Sequence, residues 1–309
     1  MRQFLIFCLL WAGWVEASTV ERGELFLQRQ RYASEALQLP LANGQMTVLK
    51  RSATTTSPKG HLLLFADIGS DPERSARISA LRIGLNAQGW HSWAVVPPTQ
   101  PPRAPWVSPL HLAQTDAAKT DKSGLSPESA DEWLASAETA QALQQLREQL
   151  AAQLARLYEE KELAPLRDKI EAEQLRAQIK ADPRRNERDE LPLLIIFAEG
   201  MSAPLLAEIL AAEEMRCDIN AFIALGPYLP VSQLNRAVGD TLAAVEVPLL
   251  DLMASDDHPL ARHGSDDRRI KAQLRELPYY RQRQLPLAAS IDSSAVSDEV
   301  KAFLRRLGW

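Results

Sequence analysis

The chain has 309 residues, 46% hydrophobic and 24% charged, enough for one large domain or two small ones. A formal net charge of −5 and a pI near 5.7 exclude a global basic field, so no nucleic-acid partner is expected. The two cysteines, Cys8 and Cys217, exclude a disulfide scaffold if the leader carrying Cys8 is removed, and Cys217 then reads as a small buried hydrophobe or, alternatively, a reactive thiol.

The first residues read as an export signal. Arg2 supplies a positive start, Phe4–Val15 is apolar but too short for a typical span, and Val15-Glu16-Ala17 suits a signal peptidase. Residues 1–17 are therefore expected to be a signal peptide cut after Ala17, leaving 18–309 periplasmic or secreted with no transmembrane segment; an uncleaved anchor is the alternative. Cys8 sits inside the apolar core and not at its end, so no lipoprotein site is expected.

Glu21–Leu37 has a helical pattern, and Asn43-Gly44 is a turn signal before a strand over Gln45–Arg51. His61–Phe65 is a continuous apolar run, as in a strand covered on both faces. The loop Ala66–Pro72 follows, then an amphipathic helix over Glu73–Gln88 with Ile78, Leu81 and Leu85 inward and Gly89 as its stop. Trp90–Val96 is the next strand. Strands alternating with helices of this length predict βαβ units.

Residues 98–190 break that rhythm. Five prolines between Pro97 and Pro105 rule out a central strand, and Ser129 with Glu132 fits a capping box. From Asp131 to Lys180 the composition becomes charged and helical. Leu143, Leu146, Leu150, Leu154 and Leu157 recur at three and four residues, a narrow stripe like a coiled-coil seam. Pro165 restarts the helix, and Leu166, Ile170 and Ala177 carry a second stripe. The segment 131–180 is expected to be a helical hairpin inserted into the sheet domain, a candidate protein-binding surface. Asp182–Glu190 has balanced charges and reads as solvated.

Leu193–Phe197 is a second buried-strand run. The small-residue turn Ala198-Glu199-Gly200-Met201-Ser202 follows, and an apolar helix then starts. Strand, sharp turn and helix is the context of a nucleophile elbow. Further strands are expected over Ile219–Leu225, Val247–Met253 and Tyr279–Leu285, with helices over Asp266–Glu276 and Ser297–Arg306. The fold class is α/β: a three-layer, α/β-hydrolase-like sandwich with a mainly parallel sheet and a helical insertion.

Five segments together, HLLLFADIGSDP, Gly89-Trp90, IIFAEGMSA, VPLLDLMASDDHP and YYRQRQLP, resemble an exported proteobacterial family of unknown function, domain of unknown function 3530, a divergent branch of the α/β hydrolases. The resemblance runs from about Glu21 to the C-terminus. It implies an elbow patterned G-H-G-x-G, with no nucleophile; this chain also replaces the first Gly and the His.

An active α/β hydrolase needs Ser, Asp or Glu, and His in that chain order. Gly200 stands at the nucleophile position, Asp257 after the strand Val247–Met253 fits the acid, and Ser290 stands where the His is expected, with no histidine after His263. A hydroxyl does not serve as a base near neutral pH as imidazole does. Two of three roles are therefore empty. The expected function is binding without catalysis, of a small molecule in a cleft ringed by Asp67, Glu199, Gly200 and Asp257 or of a protein at the helical insertion 131–180. The alternative is hydrolysis of esters or peptides by a displaced constellation of Ser202, Glu199 and Asp257. Ser202 otherwise reads as a residue satisfying a helix N-terminal amide. No cofactor is expected. His258 and His263 with Asp256, Asp257, Asp266 and Asp267 are the densest set of possible metal ligands, but H-x4-H is no zinc signature, and a solvated loop with capping aspartates is expected there. Trp90 and Trp93 are expected in the core, while Trp106 could line a pocket.

Overall fold

A computed structural model of the chain describes residues 32, 34–72, 75–98, 130–181, 191–212, 218–286 and 294–309. Two strands, β1 (Ala36–Leu41) and β2 (Gly44–Arg51), form an antiparallel hairpin turned at Ala42-Asn43. Six more are mutually parallel: β3 (Gly60–Phe65), β4 (Trp90–Val95), β5 (Leu193–Glu199), β6 (Ala221–Leu225), β7 (Leu249–Met253) and β8 (Arg281–Gln284). They join in one eight-stranded sheet, ordered β1-β2-β4-β3-β5-β6-β7-β8.

The described end of the segment expected to be helical, Glu21–Leu37, is extended. Ala36 and Leu37 open β1 and pair with Leu49 and Val48, so the hairpin ladder overrides the local helical pattern there. Pro40 is tolerated because β1 is the sheet edge.

Nine α-helices lie among the described residues. The first, α1 (Ala76–Gly84), begins at Ala76, where the Ser75 hydroxyl accepts the Ile78 N–H at 3.3 Å. Gly89, at φ +95°, turns the chain into β4. Next come α2 (Ala130–Leu157), α3 (Lys169–Ala181), α4 (Ser202–Ala211), α5 (Ser232–Asn235), α6 (Val238–Ala243), α7 (Pro259–His263), α8 (Ser265–Leu274) and α9 (Ser294–Arg306). Among the described residues, no helix is long and apolar enough to cross a membrane.

Alternation along the strands sorts the core into two layers. Leu63, Phe65, Trp93, Leu194, Ile196, Ala198 and Phe222 face one side with α2, α4 and α6. Leu62, Leu64, Trp90, Ile195, Phe197, Ile223 and Leu250 face the other with α1 and α9. Both faces are thus covered, which explains why the strands read as unbroken apolar runs. This is the three-layer α/β sandwich expected, and Trp90 and Trp93 are core residues in it.

The leucine stripe of α2 is a correction. Leu143 is 6% exposed and Leu146, Leu150, Leu154 and Leu157 are fully buried, packed in the same layer as Leu39, Met46 and Leu206. It is not an open surface for a partner, because the helix lies in the connection between β4 and β5 and covers the sheet. Gln153 Nε2 donates to the Val96 carbonyl at 3.0 Å, and Arg147 pairs with Glu208 of α4 at 3.6 Å. The second stripe also divides: Leu166 is buried, whereas Ile170 is 52% exposed. The expected capping box at Ser129 and the charge run 182–190 lie outside the described residues, as do the signal segment, Trp106 and Cys217.

Near the opposite edge of the sheet, the buried Asp251 of β7 is held at Oδ2 by Arg268 Nε at 2.9 Å, Tyr280 Oη at 3.0 Å and Gln282 Nε2 at 3.0 Å, and at Oδ1 by Arg268 Nη2 at 3.3 Å. This network ties α8 and β8 to β7. Every oxygen of the carboxylate is engaged, so Asp251 is a fixture of the fold.

Candidate functional site

The site lies at the C-terminal ends of the parallel strands, where a ligand crevice of an open α/β sheet is expected. β5 stops at Glu199, Gly200 adopts φ +58°, and α4 starts at Ser202. Gly200 N–H donates to the Leu225 carbonyl at 2.9 Å, which pins the turn to β6. The elbow expected from the sequence is therefore present, with its left-handed residue at the position where a nucleophile would sit.

Asp67, from the loop after β3, occupies the space beside it. A Cβ placed on Gly200 would lie 2.2 Å from the Asp67 carboxyl carbon and 2.3–2.4 Å from its oxygens. Asp67 Oδ1 accepts the N–H of Met201 and the N–H of Ile68, each at 2.8 Å. These are the residue after the nucleophile position and a residue of the loop after β3, the two sources of oxyanion-hole donors in this architecture. Tyr228 Oη donates to Asp67 Oδ2 at 3.4 Å. One side chain thus fills the space beside Gly200 and accepts both of these N–H groups. Burial pushes the Asp67 carboxyl up to about 7; the Glu199 charge adds to this, and the N–H bonds of Met201 and Ile68 oppose it.

Ser202 does not reach this space. It is fully buried, and its hydroxyl donates to the Ala66 carbonyl at 2.6 Å. It neither caps an amide, as the sequence suggested, nor faces the cleft as a nucleophile. Its role is to tie the start of α4 to the loop that carries Asp67.

The remaining carboxylates gather on Arg77, from the first turn of α1. Arg77 Nη1 lies 3.3 Å from Glu199 Oε1 and 3.3 Å from Asp257 Oδ1, and Nη2 lies 2.7 Å from Asp256. The Ser75 hydroxyl donates to Glu199 Oε2 at 2.9 Å while capping α1. Burial raises Glu199, opposed by its bonds to Ser75 and Arg77. Burial likewise raises Asp257, opposed by the Ala254 N–H at 2.6 Å and by Arg77. The structure therefore brings together Asp67, Glu199, Gly200 and Asp257, as the sequence reading grouped them. Ser290 lies outside the described residues.

Asp257 is fitted against the end of β6. A Cβ on Gly226 would lie 2.7 Å from its carboxyl carbon, and Gly226 has φ +55°. Gly226→Ala should cost about 1–3 kcal/mol through both the clash and the backbone. A thermal unfolding series checks it; an unchanged midpoint would mean that the loop yields freely.

His258 follows directly. Its Nδ1 accepts the Leu260 N–H at 3.2 Å, capping α7, and its ring stacks on Tyr228 at 4.1 Å between centroids and 7° between planes. Burial lowers its pKa, with Arg262 adding to the effect, so it is neutral near pH 7. Among the described residues, no three His, Cys, Asp or Glu side chains converge as a metal site.

Arg77, Tyr228 and Ser75 escaped the sequence reading. Arg77 sits on an amphipathic helix where a charge reads as solvated, and its carboxylate partners are 122 and 180 residues away in the chain. No local pattern encodes that convergence.

The sequence matches, over residues 16–306, the model of a family described as "Protein of unknown function (DUF3530)". No curated protein matches it. Among solved structures the fold is similar to Est1E from Butyrivibrio proteoclasticus, at 9% identity, with 88% of this chain and 99% of that chain covered and a TM-score of 0.50. It is also similar to the esterase Pf2001 from Pyrococcus furiosus, at 10% identity, 88% and 89% coverage and a TM-score of 0.50. At such identities the likeness shows the α/β-hydrolase fold and nothing finer.

Proposed function

The chain belongs to the DUF3530 family, and from that premise we propose that it is an exported α/β-hydrolase-fold protein that works by binding and not by acyl transfer. One observation carries this reading: the Asp67 carboxyl stands where a nucleophile would and takes both N–H groups that would stabilise an oxyanion. A carbonyl oxygen entering that hole would have to displace a buried carboxylate. The groups gathered around Gly200 – Tyr228, His258, Glu199 and the Arg77 ion-pair cluster – are polar and would suit a small polar ligand. Export rests on the leader at residues 1–17.

A hydrolase reading is favoured by one feature only. Burial raises both Glu199 and Asp257, and both sit on Arg77, an arrangement of two carboxyls in unlike surroundings of the kind acid–base work uses.

The two readings separate in one experiment. Mature protein is incubated with a serine-directed fluorophosphonate and with a panel of short-chain esters. No labelling and no turnover are expected, and Gly200→Ser is expected to stay inactive because the Asp67 carboxyl still blocks the new hydroxyl. Turnover by the native protein that disappears in Glu199→Gln or Asp257→Asn would establish the hydrolase reading instead. Export is checked by sequencing the N-terminus of the secreted or periplasmic form, expected to begin at Ser18.

A further inference from the structure

A second opening lies at the other end of the same strands. The N-terminal ends of β3, β4 and β5 border a cavity of about 1080 Å³, at the end of the strands opposite the elbow. We propose that it binds a small organic anion, a carboxylate or phosphate joined to an apolar body.

The histidines of the cavity fix the polarity of the ligand. His61 and His91 are register neighbours on β3 and β4 and stack at 5.0 Å and 23°. His61 Nδ1 accepts the Trp93 indole N–H at 3.2 Å, and His91 Nδ1 accepts the Ala53 N–H at 3.2 Å. A neutral imidazole whose Nδ1 accepts must carry its proton on Nε2. Each ring therefore offers an Nε2–H donor, and neither Nε2 has a partner among the described residues. Protonated nitrogens do not ligate a cation, so the pair is built for a hydrogen-bond acceptor.

Charge points the same way. The cavity is bordered by Lys59, Arg176, Lys180 and Glu162. Glu162 is paired with Lys50 at 2.5 Å, and Arg176 with Asp218. Lys59 and Lys180 make no ion pair among the described residues. Two exposed lysines at the cavity are thus left to meet an acidic group of a ligand. Ile179, Leu191 and Trp309 supply an apolar wall for the body of the ligand.

Both rings are neutral near pH 7. Burial lowers His61 to about 4, with His91 adding to the effect, Glu162 opposing it and Lys50 assisting. His91 is also lowered, by burial first. The neutral tautomer, with Nδ1 accepting and Nε2–H free to donate, is thus the form of each ring that faces the cavity near pH 7.

The test uses the full mature protein with benzoate and phenyl phosphate as probes and benzyl alcohol as the uncharged control. Histidine Nε2–H resonances are followed by long-range proton–nitrogen correlation. Saturable shifts of the His61 and His91 signals with benzoate, phenyl phosphate or both are expected, and none with benzyl alcohol; whichever anion binds more tightly identifies the headgroup. The exposed reversals Lys59→Glu and Lys180→Glu should each weaken binding by about tenfold while leaving the fold and the elbow cleft unchanged. Equal binding of benzyl alcohol, undiminished affinity in the double reversal, or no saturable shift with either anion overturns the assignment.

Discussion

Asp67→Asn should be more stable than the native protein at pH 8 and about equal to it at pH 4. The carboxyl is buried, and its pKa rises from 3.8 to about 7 on folding. Between those values the folded chain binds more protons than the unfolded chain. The stability contributed by Asp67 is thus full below pH 4 and is lost as pH rises through about 7. A shift of that size corresponds to roughly 4 kcal/mol at most, since each unit is worth about 1.4 kcal/mol. Asparagine keeps an oxygen to accept the Met201 and Ile68 N–H groups and removes the charge that burial opposes. It also relieves Glu199, whose charge is one reason Asp67 is raised. A gain of about 2–4 kcal/mol at pH 8 is expected from urea unfolding, shrinking towards zero at pH 4. Asp67→Ala should behave differently: it leaves two amides without their acceptor, at about 1–3 kcal/mol each where water does not replace it. Parallel pH profiles for native protein and Asp67→Asn would show that the carboxyl is not under strain. A chain that holds an ionisable group at a cost in stability, over a turn shaped for chemistry, breaks local rules where functional sites usually do.

The elbow could be read from the sequence because its determinants are adjacent: an apolar run, small residues, then a helix. Gly200 and the strand before it needed no tertiary information. Asp67 was placed near the cleft by the loop that follows β3, but its fit against Gly200 was not visible, since it depends on a close approach between segments 134 residues apart. Arg77 was hidden for the same reason. The α2 stripe misled in the opposite direction. A narrow run of leucines at three and four residues is the same pattern whether the helix faces a second helix, a partner or a sheet, and the periodicity carries no information on which. The strands β3 to β7 were legible because burial on both faces writes itself as a continuous apolar run. The start of β1 was not, because an edge strand is held by its hairpin partner more than by its own composition.

Removal of residues 131–180 should abolish folding of the whole domain. Were the segment an appendage, the sheet would survive its loss. Instead Leu143, Leu146, Leu150, Leu154, Leu157, Tyr158, Leu163 and Leu166 are all buried in one layer with the sheet and with α4. Each buried side chain of this kind contributes about 1.5–3 kcal/mol, so the eight together contribute about 12–24 kcal/mol, as much as or more than the roughly 5–15 kcal/mol by which a domain is usually stable. The deletion would also uncover Leu39, Met46 and Leu206, which share that layer. Circular dichroism of the deleted protein should show loss of cooperative unfolding. Because a deletion can fail for trivial reasons of chain closure, the single substitution Leu150→Ala provides the graded version. It creates a cavity in a fully buried position and should cost about 2–5 kcal/mol. Leu150→Met, which keeps the volume, should cost less than about 1.5 kcal/mol. A folded deletion mutant, or Leu150→Ala within experimental error of the native protein, would show that the insertion is dispensable to the core and reopen its stripe as a partner surface. If instead both predictions hold, the α2 stripe is core and any partner of this segment must meet its exposed face, such as Ile170, and not the buried leucines.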